Sequence, residues 1–137
     1  PPRSTLFPYT TLFRSMLFIA LTFGLLGYAA YGMASTGWMM WAAIPVFALV
    51  GFFSPAIQGL MTRRVGAHEQ GQLQGANSSL MGIAGIIGPL LFTSIFSASI
   101  RDATWQFPGA PFLVAAAMHA AALILAFTIM PRSTDKE

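Results

Sequence analysis

The sequence contains 47 consecutive residues without a formal charge, at positions 16–62. Residues 73–100 and 105–130 are also free of Asp, Glu, Lys and Arg. A helix needs about 20 consecutive apolar residues to cross a bilayer, and in lipid the backbone must satisfy its own hydrogen bonds. Uncharged stretches of this length therefore predict transmembrane helices.

The composition points in the same direction. Hydrophobic residues make up 55% of the 137 residues and charged residues 8%, whereas an ordinary soluble domain is about 25% charged. The net charge is +3, but the basic residues are scattered rather than clustered, so no nucleic-acid surface is predicted. The absence of cysteine excludes a disulfide framework and a thiolate metal site.

The charged positions divide the chain into four spans, which we predict at about residues 16–35, 38–62, 73–99 and 105–130. Together they form one predicted transmembrane segment, residues 16–131, followed by a tail at 132–137. The predicted fold class is an all-α membrane protein with four transmembrane helices.

Basic residues predict the orientation. Arg63, Arg64 and His68 lie between the second and third spans, and Arg132 and Lys136 follow the fourth. Because Lys and Arg are enriched in cytoplasmic loops, this middle loop and the C-terminal tail are expected in the cytoplasm. Aromatic residues expected near the opposite membrane surface support the same topology, and they are Tyr28, Tyr31, Trp38, Trp41 and Trp105.

The second span is marked by prolines, and the third span is marked by glycines. Pro45 and Pro55 are expected to bend the second span, since each removes a backbone hydrogen bond. The third span presents Gly82, Gly85 and Gly88 before Pro89. Small residues let membrane helices approach closely, so this surface predicts packing within a bundle, with a flexing or gating role as the alternative.

Residues 1–15 differ from the rest, with two arginines and three prolines. They can be back-translated into a continuous frame that resembles a common short-read sequencing adapter. We therefore interpret residues 1–15 as a library-construction remnant that forms no domain, with a natural cytoplasmic N-terminal tail as the alternative. Without Arg3 and Arg14, five basic and four acidic residues leave a net charge of +1. The remainder is expected to be the tail of a longer membrane protein.

A family resemblance is carried by spaced motifs around the middle loop. They are Pro55-Ala56-x-Gln58, Arg64-Val65, Gln70-Gly71-Gln72-Leu73-Gln74-Gly75 and Gly88-Pro89-Leu90-Leu91-Phe92. In combination they resemble the C-terminal region of drug:proton antiporters of the major facilitator superfamily, most closely the tetracycline efflux proteins. The resemblance covers residues 16–137 and is strongest over residues 54–97.

This resemblance implies helices nine to twelve of a twelve-helix fold, with the second and third spans helping to line the central cavity. It implies a proton-coupled exporter of tetracycline-like drugs in a bacterial inner membrane, inactive without its N-terminal helices. The expected partners are lipid, those missing helices, a small-molecule drug and a proton. One departure is that Gly24 stands where the family usually carries an acidic residue. No Asp or Glu lies within any span, so the coupling group is expected in the N-terminal part.

Two groups of polar and apolar side chains are candidates for function. The substrate-cavity candidates are Phe52, Gln58, Asn77, Ser78 and Met81, and the cytoplasmic gate or loop candidates are Arg63, Arg64, Glu69, Gln70 and Gln74. For Gln58 and Asn77 an interhelical hydrogen bond is the first expectation, and contact with the cavity is the second. Arg64 and Glu69 could form a gating ion pair.

Catalysis is not predicted. The sequence shows no nucleophile–base pair, metal-ligand cluster or phosphate-binding loop, and no cofactor is expected. His119 is the one titratable side chain within a span, and we expect a structural role for it. Two rivals to the exporter remain: a self-contained, oligomeric four-helix multidrug transporter and a non-transporting membrane subunit.

Overall fold

The computed structural model describes residues 7–101 and 106–130, and these residues form helices without a strand. The five α-helices are α1 (Phe7–Met33), α2 (Gly37–Ala48), α3 (Phe53–Thr62), α4 (Gln70–Arg101) and α5 (Ala110–Ile129). Two short 3₁₀ turns, Leu49–Phe52 and Ala67–Glu69, connect α2 to α3 and precede α4.

Four helical segments are long and apolar enough to cross a membrane: Thr10–Met33, Gly37–Thr62, Ala67–Arg101 and Ala110–Ile129. The predicted all-α fold with four membrane-spanning helices is therefore confirmed. The fourth helix begins at Ala110 because a turn at residues 108–109 precedes it and a proline occupies its first turn. Trp105 and the predicted tail at 132–137 lie outside the described residues.

Helix α1 begins upstream of residue 16 and includes residues 7–15, which belong to the segment interpreted as a remnant. Arg14 donates a hydrogen bond to the carbonyl of Met130 at the end of α5. Phe13 packs against Gly59 of α3, 2.7 Å from where a Cβ would lie. A translated remnant with apolar side chains can extend a helix, so its origin stays a prediction.

The second span is interrupted near its middle. Four residues, Leu49–Phe52, adopt the tighter 3₁₀ geometry between α2 and α3. Pro55 cannot donate to the carbonyl of Gly51, and its ring crowds that carbonyl, which favours a local change of helix geometry there. Pro45 lies within α2. The structure thus places the main irregularity between the two prolines.

The packed interior surrounds α1, which contacts α2, α3 and α5. Leu17 and Leu21 are buried against Ala56, which has no exposed surface. No polar or charged side chain is buried among the described residues. Many large apolar side chains face outward instead, including Trp41 with 76% of its surface exposed. Because water would penalise such a surface, lipid or neighbouring apolar helices must cover it.

Glycines on α1 create the close helix contacts. Phe47 lies 2.9 Å from a Cβ built on Gly27, and Leu113 lies 2.6 Å from one built on Gly32. By contrast, nothing described lies within 4 Å of a Cβ built on Gly82, Gly85 or Gly88 of α4. The predicted packing role of those three glycines and Pro89 remains a prediction about contacts beyond the described residues.

Candidate functional site

The turn between α3 and α4 gathers most of the candidate polar residues. Its 3₁₀ segment is closed by Glu69, whose Oε2 accepts a hydrogen bond from the Gly66 N–H at 2.9 Å. The backbone N–H of Glu69 in turn donates to the Gly66 carbonyl at 3.0 Å. These two reciprocal bonds hold the turn in one geometry.

Gln70 fastens this turn to the end of α3. Its Nε2 donates to the carbonyl of Thr62 at 2.8 Å and lies 3.4 Å from that of Val65. Carbonyls at a helix C-terminus lack partners within the helix, so a side-chain donor satisfies them well. Gln70 therefore acts as a cap that joins the two spans.

One turn further into the helices, Gln58 and Gln74 bind each other through both amide groups. Nε2 of Gln74 lies 3.1 Å from Oε1 of Gln58, and Nε2 of Gln58 lies 3.4 Å from Oε1 of Gln74. Thr62 also donates from its hydroxyl to the Gln58 carbonyl at 2.8 Å. Gln58 thus makes an interhelical hydrogen bond, which is one of the two roles considered for it from the sequence.

Arg64 and Glu69 do not form an ion pair with each other in this structure, so their gating contact stays a prediction. Glu69 is engaged by Gly66 rather than by Arg64 in this structure. Arg63 follows α3 directly, and its guanidinium carbon lies 5.3 Å from the centroid of the Phe13 ring on α1. A cation over an aromatic ring near a helix C-terminus is favourable on both counts.

The remaining cavity candidates are separate from this network. Phe52 lies in the 3₁₀ turn of the second span and is 41% exposed, and Met81 of α4 is 69% exposed. Ser78 is exposed, whereas Asn77 is half-buried. No hydrogen bond or ring contact joins these four side chains to one another within the described residues. These side chains are open to their surroundings rather than assembled into an enclosed cavity.

A cavity lies at the opposite end of the helices, where the sequence had indicated only membrane-surface aromatics. It has a volume of about 310 Å³ and is lined by Tyr31, Met40, Trp41, Ile44 and Phe112. The Tyr31 ring stands 5.8 Å from that of Phe112 and 5.5 Å from that of Phe47. Three different helices meet there, which no local sequence pattern reveals.

His119 lies against α1 at Gly24. Its Nδ1 is 3.0 Å from the Ala115 carbonyl on the preceding turn of α5, and its ring centroid is 5.0 Å from that of Tyr28. A Cβ at Gly24 would collide with the imidazole ring. An acidic side chain at this position would meet the same obstacle. His119 therefore fills the space that a side chain at Gly24 would need.

The chemistry available in these residues is recognition and packing. Within residues 7–101 and 106–130, no group of three or more His, Cys, Asp or Glu side chains could hold a metal ion. Amide groups are paired near the turn between α3 and α4, and aromatic and apolar side chains line the cavity at the opposite end of the helices. Such groups can bind a ligand or a neighbouring helix by hydrogen bonds and stacking.

Four apolar helical spans define a multi-pass helical membrane protein. The chain is 37% identical to the class C tetracycline resistance protein of Escherichia coli over 94 residues, and these residues make up 69% of the chain. It is 33% identical to the class H protein of Pasteurella multocida over 123 residues, or 90% of the chain. The predicted resemblance to tetracycline efflux proteins of the major facilitator superfamily is confirmed.

The similarity also extends beyond the resistance proteins. The human Hippocampus abundant transcript 1 protein is 36% identical over 83 residues, which is 61% of this chain. The matched regions span 23% of the class C protein, 30% of the class H protein and 17% of the human protein. No protein-family model and no solved structure matches the chain.

Proposed function

We propose that this chain is the C-terminal part of a proton-coupled secondary transporter that exports tetracycline-like drugs across the bacterial inner membrane. The supporting observation is the similarity to the class H protein, which covers 90% of this chain but 30% of that relative. Four of twelve helices is about a third of such a bundle, close to the covered share of that relative, so the four spans suit helices nine to twelve. The chain is thus a transporter component rather than an enzyme, and is inactive alone.

On the substrate side, we propose contacts from Phe52 of the second span and from Asn77, Ser78 and Met81 of α4. Phe52 and Met81 offer apolar contact, and Asn77 and Ser78 offer hydrogen bonds, which is the combination that a flat polar drug requires. These residues would complete a cavity with the N-terminal helices. Because no Asp or Glu lies within helices α1 to α5, the group that carries the proton is proposed to lie in the remainder of the protein.

Transport measurements test this proposal. Inverted membrane vesicles would be prepared from a drug-susceptible bacterium that expresses either this chain or the uninterrupted gene that contains it. With a proton gradient imposed, we expect tetracycline accumulation with the complete protein and none above background with the chain alone. Transport by the chain alone would favour a self-contained oligomeric transporter, and no transport by the complete protein would refute drug export.

The proposed orientation places the turn at residues 63–69 and the C-terminus in the cytoplasm. Arg63 and Arg64 supply the basic residues of that turn, whereas Arg132 and Lys136 lie outside the described residues. Replacing both Arg63 and Arg64 by glutamine should give a several-fold rise in outer-face labelling of a cysteine placed at Ala67. Because the chain has no cysteine, the introduced thiol is the only one labelled.

The matched control for orientation is Arg101→Gln, which removes a basic residue at the other end of α4. It should leave Ala67→Cys protected from an impermeant thiol reagent on the outer face. Equal labelling in both variants would contradict the proposed topology.

A further inference from the structure

We propose that Gln58 and Gln74 form an amide joint that fixes the third span against the second. The joint lies in the hairpin of α3 and α4 and does not depend on the transported substrate. Each glutamine both donates and accepts a hydrogen bond, with Nε2–Oε1 distances of 3.1 and 3.4 Å. Each glutamine side chain thereby donates through its NH₂ group and accepts through its carbonyl oxygen in bonds to the other glutamine.

The joint belongs to a regular ladder. Gln70 reaches the Thr62 carbonyl at the turn, and the Gln58–Gln74 pair lies one helical turn further from it on both helices. Residues four apart in a helix share a face, so α3 and α4 run antiparallel in a fixed register. The following rung in this register is Ser54 opposite Ser78, and both are exposed.

Little else holds these helices together. Among the described elements that touch, α3 and α4 make the least contact, and α4 contributes no buried residue. Nothing described lies within 4 Å of a Cβ at Gly75, next to the pair. Where packing is this sparse, a hydrogen-bonded amide pair carries much of the positioning, because an unpaired amide in lipid is costly.

The reciprocal arrangement predicts a particular mutational pattern. Removing either amide breaks both hydrogen bonds, since each bond needs both side chains. Gln58→Leu and Gln74→Leu should therefore have equal effects, and the double variant should have no larger effect than either single one. Independent contributions would instead add.

Distance measurement on the full chain in lipid nanodiscs tests this joint. Spin labels would be attached to Ser54→Cys and Ser78→Cys, since the chain contains no other cysteine. We expect a dominant short distance, and either leucine variant should reduce the ratio of short to long distances roughly three- to tenfold, as one or two interhelical hydrogen bonds provide. Gln72→Leu is the matched control, because Gln72 is exposed on α4 outside the ladder.

Four outcomes would overturn the joint. They are an unchanged distance distribution in both leucine variants, additive effects in the double variant, an equal shift in Gln72→Leu, and a broad distribution in the unmodified chain. Gln58→Asn provides a second test if a leucine variant does not insert, because its shorter amide should also lose the short distance.

Discussion

Replacement of Gly109 by alanine is expected to destabilise the folded chain by about 3 kcal/mol, the upper part of the usual range for overpacking. The new Cβ would collide with the carbonyl oxygen of Gly32 and lie 2.8 Å from its carbonyl carbon. Backbone atoms at the end of α1 cannot move aside as a flexible side chain can. The φ of Gly109 is −77°, which any residue adopts, so the cost is steric.

The free energy of unfolding measured by denaturant titration in mixed micelles checks the Gly109 prediction. Gly82→Ala is the control, since nothing described surrounds that position. It should be neutral or stabilise the helix, because alanine has the higher helix propensity. Equal losses in the two variants would show that the Gly32–Gly109 contact is absent in the membrane.

The second large effect concerns the contact between α1 and α5. Gly24→Ala should destabilise the chain by about 1–3 kcal/mol, because its Cβ would lie 2.7 Å from Nε2 of His119. Truncating the imidazole removes the obstacle. In a His119→Ala background, Gly24→Ala should therefore cause only a small part of that loss of stability. The coupling energy should reach about 1–3 kcal/mol, as for residues in direct contact.

The same unfolding measurement on the four members of this cycle gives the coupling energy directly. Met118→Ala replaces His119→Ala in the control cycle, because Met118 is exposed on the same helix. No such reduction of the loss should occur there. Additive losses for Gly24→Ala and His119→Ala would mean that the two residues do not touch. An aspartate at Gly24 should behave like alanine or worse while His119 is present.

The charge distribution was sufficient to predict the four helices. Long uncharged runs leave few alternatives in lipid, and each observed span overlaps one such run, although the first and third spans also include Arg14, Glu69 and Arg101. The start of the fourth span was less predictable, because residues 106–109 carry no charge and so gave no boundary before the helix that begins at Ala110. Sequence alone identified both prolines of the second span, and the observed 3₁₀ turn lies between them.

The glycine contacts could not be predicted from local sequence. Helices α1 and α4 are both rich in small residues, and only the arrangement of neighbours distinguishes Gly24, which faces an imidazole, from Gly82, which faces nothing described. The Gln58–Gln74 pair was half predicted. An interhelical role for Gln58 was foreseen, but its partner depends on the register that the turn at residues 63–69 imposes.

The 3₁₀ turn at Leu49–Phe52 has a mechanical consequence for the second span. Two helical rods of 12 and 10 residues meet there, and the donor missing at Pro55 lowers the bending stiffness at their junction. A tilt imposed on the aromatic end of the span is absorbed at this junction before it reaches the glutamine end. The two halves of the span can therefore follow different neighbours, which a continuous rod of the same length could not do.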